Sequence, residues 1–222
     1  MDICSFLNEM NINTEPVGAF CISNICFCIQ STKDMVEICL EFLKEWNTVS
    51  LNALNIEYNY ISLINNEKVF KQLLLFQNQT YIRDNYKIIR EGGVLNIFIK
   101  NAKRAYVVLK NIHVLGQMYN MIRAEIISHI MHRLEYNNKF VFHASAVYFK
   151  QKIIIFLGRS RSGNSTNYIK LIQDGWNPIS DDKVVIYDDE TNGLFIESFG
   201  NSFQLRKDML KQNDLKKYVE SN

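Results

Sequence analysis

Apolar and polar positions along this chain follow two kinds of pattern, and the change from one to the other divides it. A stretch rich in Cys, Ile and Phe from Phe20 to Gln30 predicts a strand, preceded by a turn around Pro16 and Gly18. From Lys33 to Trp46 the apolar residues recur at helical spacing, through Met35, Ile38, Cys39, Phe42 and Trp46, with Thr32 or Ser31 as the cap. That stripe reads as core. Segments 56–63 and 69–76 predict weaker strands, and 81–89, 94–100 and 105–111 predict a meander whose clearest turn is at Gly92 and Gly93. Residues 1–112 thus predict a small α+β unit with no recognisable chemistry.

From about Leu115 to Leu134 a strong helix is predicted, with Met121, Ile122, Ile126, Ile130 and Leu134 on its apolar side. Its histidines, His129 and His132, stand three apart, but no acidic or Cys partner completes a metal set, so both read as ordinary helix residues. Beyond it the pattern becomes strand, loop, helix, strand. Segment 140–149 predicts a strand, 150–152 a turn, and the short apolar run Ile153 to Leu157 a buried strand. A polar loop from Gly158 to Gly163 leads into a helix over 165–172, which Gly175 ends. Strands over 183–187 and 194–199 flank the turn 188–193, and the charged stretch from Arg206 predicts a fraying helix. Residues 113–222 therefore form a second predicted unit. The fold class is α/β: a small N-terminal α+β unit, then a core with a mixed, largely β sheet.

Composition narrows the possibilities without naming a function. A chain of 222 residues can bury a sizeable core, and a formal charge of +2 with scattered Lys and Arg offers no electrostatic case for nucleic acid. The longest apolar runs are too short to cross a bilayer, so no membrane partner is expected. The N-terminus lacks the basic segment and cleavage site of a signal peptide, and the expectation is a cytoplasmic protein. The five cysteines, Cys4, Cys21, Cys26, Cys28 and Cys39, lie in the first forty residues with no CxxC spacing, which supports neither a disulfide framework nor a zinc site. On a strand Cys26 and Cys28 would share a face as a conceivable soft-metal pair, although small buried hydrophobes are the plainer reading.

Candidate chemistry lies in the run from Gly158 to Thr166. It follows a buried strand and opens a helix, which is the context of a phosphate loop: successive backbone N–H groups and the positive helix end cradle the anion. In a working loop a Lys reaches the outer phosphates and a Ser or Thr hydroxyl holds magnesium. Gly158, Gly163 and Ser165 stand in place, but Asn164 occupies the lysine position and Arg161 a position normally held by glycine. The candidate phosphate-binding residues are Gly158, Ser160, Arg161, Ser162, Gly163, Asn164, Ser165 and Thr166.

Two flanking motifs add weight: His143-Ala144-Ser145-Ala146-Val147 before the loop and Ser180-Asp181-Asp182 after the helix. In this order and spacing, residues 115–205 resemble the HPr kinase/phosphorylase group. The likeness is closest to kinase-like proteins of modified-peptide biosynthesis, including lasso peptide kinases, and more distant to ATP-dependent phosphoenolpyruvate carboxykinase. The resemblance implies an HPr-kinase-like core that takes ATP and Mg2+. Asp181 would be the general base that accepts a hydroxyl proton, Asp182 and His143 a supporting pair, and Ser165 and Asp182 the metal ligands. Glu197 is a further metal-ligand candidate by position.

Departures fall on the phosphate cradle. An amide replaces a cation at Asn164, and Arg161 brings a Cβ where the loop approaches phosphate, although its guanidinium, or that of Arg159, could itself clamp the anion. Family members also continue with further strands beyond the segment resembling Ser202 to Arg206, so the second unit reads as shortened. The reading that follows is a degenerate kinase-like subunit that binds a peptide or partner enzyme in a modified-peptide pathway. The alternative is an active kinase that phosphorylates a Ser hydroxyl on a peptide or small protein. Self-association as a homo-oligomer is implied by the resemblance alone.

Overall fold

In the computed structural model, residues 6, 12–51, 57–74, 80–83, 86–91, 93–99, 103–110, 115–158, 162–189 and 193–200 are described. They divide into two compact units, Met1–Tyr136 and Asn137–Asn222. The α/β class is as expected from the sequence.

The first unit is built on an eight-stranded sheet in the order β3-β1-β2-β4-β8-β7-β6-β5. Its strands are β1 (Glu15–Ile22), β2 (Ile25–Ser31), β3 (Thr48–Val49), β4 (Tyr58–Asn65), β5 (Thr80–Arg83), β6 (Tyr86–Glu91), β7 (Val94–Ile99) and β8 (Arg104–Leu109). Among the described residues the longer helices beside them are α1 (Val36–Leu43), α2 (Glu67–Leu74) and α3 (Leu115–Tyr136). The sheet is mixed, because β4 lies parallel to both β2 and β8 while the other pairs are antiparallel. A parallel pair needs a crossover between its strands, and α1 supplies it between β2 and β4. Alternation then sorts the side chains. On one face Val69, Phe70 and Leu73 of α2 pack on Ile64, Leu95, Ile97, Tyr106 and Val108. Toward α1, Phe20 stacks on Phe27 and on Trp46, with ring centroids 5.6 and 4.6 Å apart. Helix α3 packs beside α1, where Arg123 grips Glu45 through Nε and Nη2 at 2.5–2.9 Å.

Several expectations change here. Segment 20–30 is two strands joined by a tight hairpin: Ser23 and Asn24 turn at φ 48° and 63°, the positive values a type I′ turn requires. The turn expected at Pro16 and Gly18 is a register irregularity inside β1. Segment 69–76, expected as a strand, falls largely in α2, since Val69, Phe70 and Leu73 sit at helical spacing and bury one face. The hairpin also overturns the expectation of no disulfide, because Cys21 and Cys26 face each other across it and are bonded, their Cα atoms 4.0 Å apart. Among the described residues no helix is long and apolar enough to cross a membrane.

Helix α3, expected to open the second unit from residue 113, instead packs on α1 and β8 of the first, and the division falls after Tyr136. The second unit holds a five-stranded sheet in the order β10-β9-β12-β13, with β11 also paired to β9. Its elements are β9 (Lys139–Phe149), β10 (Lys152–Leu157), α4 (Asn164–Gln173), β11 (Asn177–Ser180), β12 (Lys183–Asp189) and β13 (Gly193–Ser198). Every pairing is antiparallel, so the mixed sheet belongs to the first unit and not the second. One face packs against α4, where Val147, Tyr168 and Ile169 are buried with Ile154, Phe156 and Trp176 around them. The opposite face centres on Ala144, Ala146 and Val184.

Candidate functional site

Three neighbouring strands of the second unit bring the candidate motifs to one end of the sheet. Leu157, the last residue of β10, pairs with Ala144 of β9, and Lys183, the first of β12, pairs with His143. The residue after Leu157 is Gly158, so the start of the loop, His143 and the Asp181-Asp182 turn lie in one row about two strand spacings wide, or ~10 Å. The two motifs are bonded directly: Ala144 N–H donates to the Asp182 carbonyl and the Ser145 hydroxyl to the Asp181 carbonyl, both at 3.0 Å. Ser180 closes the turn by donating to the Lys183 carbonyl at 2.7 Å.

Asp182 is held on both oxygens. His143 Nδ1 lies 3.1 Å from Oδ1, and Lys183 Nζ lies 2.5 Å from Oδ2. The carboxylate is about one-third exposed and the imidazole more so, which leaves this a moderately screened surface cluster. An ammonium on one oxygen neutralises the charge a divalent cation would seek. The placement therefore does not fit Asp182 as a magnesium ligand. Among the described residues no group of three or more His, Cys, Asp or Glu side chains converges as a metal set. Glu197 sits on β13 and accepts a 2.6 Å hydrogen bond from Tyr187, opposite Val185 and off the row.

The loop is described at both ends. Ser160 and Arg161, with Arg159, lie outside the described residues. A Cβ at Gly158 would force the Ser162 hydroxyl to turn away and would crowd Asn164 Oδ1 at 3.1 Å. Gly163 takes the N-cap of α4 at φ 93°, a left-handed conformation that a Cβ opposes. The cap makes no side-chain hydrogen bond, so the N–H groups of Asn164, Ser165 and Thr166 point out of the first turn without intrahelical acceptors. Asn164, at the lysine position, turns back and accepts a 3.1 Å hydrogen bond from Ser162. Ser165 is half-buried and Thr166 exposed in that first turn.

Two residues that sequence reasoning passed over belong to this corner. Lys183 is the cation paired to Asp182, and only the register of β12 on β9 reveals it. Tyr168 lies on α4. It is fully buried, its hydroxyl has no hydrogen-bond partner, and its pKa is pushed well above the usual phenol range by burial and by the charge of Asp181.

Comparison with known proteins finds no family model, no curated protein and no solved structure that matches this chain. The class the site defines is thus described by its own geometry: a glycine-flanked strand-to-helix loop beside a His–Asp–Lys cluster on an antiparallel sheet.

Proposed function

We propose that the protein is a binding subunit on a kinase-like scaffold, one that holds a peptide or a partner enzyme and keeps a weakened phosphate site. The observation that carries this is the state of the two groups a phosphoryl transferase would use. Asp182 is paired to the Lys183 ammonium and lies beside His143, and Asn164, which replaces the phosphate-gripping cation, bonds within its own loop. Loss of one preorganised donor slows a transferase by about 10²- to 10³-fold, and loss of a full charge opposite a triphosphate costs more. The HPr-kinase-like resemblance supplies the peptide context, and modified-peptide biosynthesis is its setting in this proposal.

The sheet face away from α4 also suits holding. Phe140, Phe142 and Leu157 share it by register, as does Leu194 opposite Asp188, and all four are exposed, Leu194 at 67%. Exposed apolar side chains gathered on one sheet face suit a surface that docks a protein partner.

Calorimetric titration with ATP and magnesium tests the reading, on the natural chain and on the double variant Arg161→Gly, Asn164→Lys. The expected outcome is no measurable heat for the natural chain and binding after the loop is restored. Tight binding by the natural chain, lost in Arg161→Ala and accompanied by ADP release that depends on Asp181, would instead establish an active kinase with Arg161 as its clamp.

A further inference from the structure

A peptide held by the second unit needs backbone partners as well as an apolar surface, and β10 offers both. This strand stands at the end of its sheet: β9 lies on one side, and no described strand lies on the other. Its register on β9 runs without a bulge from Lys152 opposite Phe149 to Leu157 opposite Ala144.

One hydrogen bond fixes which way its backbone groups point. Ala144 N–H donates to the Asp182 carbonyl, so the backbone at Ala144 faces β12 and turns away from β10. In an antiparallel ladder successive residues turn their N–H and C=O to opposite sides. Ser145, Val147 and Phe149 therefore face β10 and exchange bonds with the residues opposite them, Phe156, Ile154 and Lys152. Ile153, Ile155 and Leu157 are left with their N–H and C=O turned outward.

Edge strands are commonly defended by a bulge, a proline or a run of charges. β10 reads Lys-Ile-Ile-Ile-Phe-Leu, with its single charge at the first position. By register the side chains of Ile153, Ile155 and Leu157 share the sheet face away from α4 with Phe142, and Ile153 and Leu157 are exposed. The residues that present outward backbone groups thus also present apolar side chains on the docking face. The strand leads directly into Gly158, so a chain laid along it reaches the phosphate loop.

Resting on the peptide-holding reading of this unit, we propose that β10 is where the partner is received. An extended peptide segment with apolar side chains at alternate positions adds to the open edge as a further strand. Its backbone bonds to Ile153, Ile155 and Leu157, and its alternate side chains continue the apolar face. An extended chain matches the edge because its own N–H and C=O groups recur on one side every two residues, roughly 7 Å apart, as those of β10 do. A helix spends these groups internally.

The probe is a library of free heptapeptides with Val, Ile or Leu at alternate positions and Ser, Lys or Glu between them, titrated into the full chain. A bound member should slow amide exchange at Ile153, Ile155 and Leu157 by about tenfold or more, and far less at Ile154 and Phe156, which already bond to β9. N-methylating alternate amides of that peptide should weaken binding at least about tenfold in one phase and little in the other, since only one set faces β10. Ile155→Pro removes an outward N–H on an edge, where proline is tolerated, and should weaken binding to a similar extent. The methylated peptides are read on the natural chain, so they decide the matter even if that variant unfolds. Equal effects of the two methylation phases, or amides at Ile153 and Ile155 that do not slow, would overturn strand addition and leave the peptide-holding reading standing. Slow exchange at Ile153 and Ile155 in the free chain would also overturn it, assigning the edge to another segment of this chain or, where the slowing grows with concentration, to a second copy. Failure of every peptide to bind would remove the inference and the peptide-holding reading together.

Discussion

His129 and Tyr168 each place a polar atom where water does not reach, and each makes a measurable prediction. A folded-state pKa near 3 against 6.5 in the unfolded chain means that, between those values, the unfolded state binds a proton the folded state refuses. Stability contributed by neutral His129 is therefore complete above about pH 6.5 and falls as pH drops toward 3, by about 2 kcal/mol at pH 5. Urea unfolding at pH 7.5 and pH 5 should show that loss, and His129→Gln should flatten the dependence. Tyr168 presents the reverse case, a hydroxyl desolvated without a partner. Replacing it by Phe removes a polar group that has no bond to lose. Tyr168→Phe should leave the thermal midpoint unchanged or raise stability by up to about 1 kcal/mol, whereas a hidden hydrogen bond would make it fall.

At the scale of elements, the β1–β2 hairpin is held both by its ladder and by Cys21–Cys26. The bonded residues are only five apart, so the bond removes little unfolded-chain entropy, and its loss should cost about 2 kcal/mol. Unfolding with and without reductant, alongside Cys21→Ser, Cys26→Ser, measures this. The remaining described thiols behave differently. Burial pushes Cys28 up to about 11 and Cys39 up to about 12, so neither offers a thiolate at neutral pH. Peptide mapping after alkylation of the native protein should find both unmodified, and both modified in denaturant. The hairpin and α2 also show where the sequence was ambiguous. The Cys, Ile and Phe run reads as one strand because Ser23 and Asn24 lack the glycine that advertises a type I′ turn. Segment 69–76 is short enough for its apolar residues to satisfy either period, and burial against β7 and β8 decides for a helix.

For the molecule as a whole, the apolar sheet face of the second unit is the feature that most sets its solution behaviour. Phe142→Ser with Leu194→Lys should lower binding of a hydrophobic dye and reduce self-association at high concentration. The thermal midpoint should fall only modestly, because Leu194 is 67% and Phe142 41% exposed. A large drop in stability would mean instead that the face is covered in solution. The proposed peptide-holding role predicts that the same variant loses its partner.

Much of the second unit was legible in the amino-acid order alone. A strand, the glycines at either end of the loop and a helix that stops at Gly175 are local events, set by side-chain volume, backbone freedom and the 3.6-residue period, and they stand as read, whereas the strand Ile153 to Leu157, expected to be buried, lies at the sheet edge with Ile153 and Leu157 exposed. The same holds for helix α3 and the helical stripe that includes α1. Pairing across distance was not legible, because register is chosen by the whole sheet and not by either strand. Only the folded chain set Lys183 beside His143 and turned its ammonium onto Asp182. Only the fold faced Cys21 with Cys26, and only the packing of α3 on β7 sealed His129 away from water with one nitrogen unpaired. Local sequence determined which elements form; competition among buried surfaces decided which polar atoms met, and that meeting is where the chemistry of this protein resides.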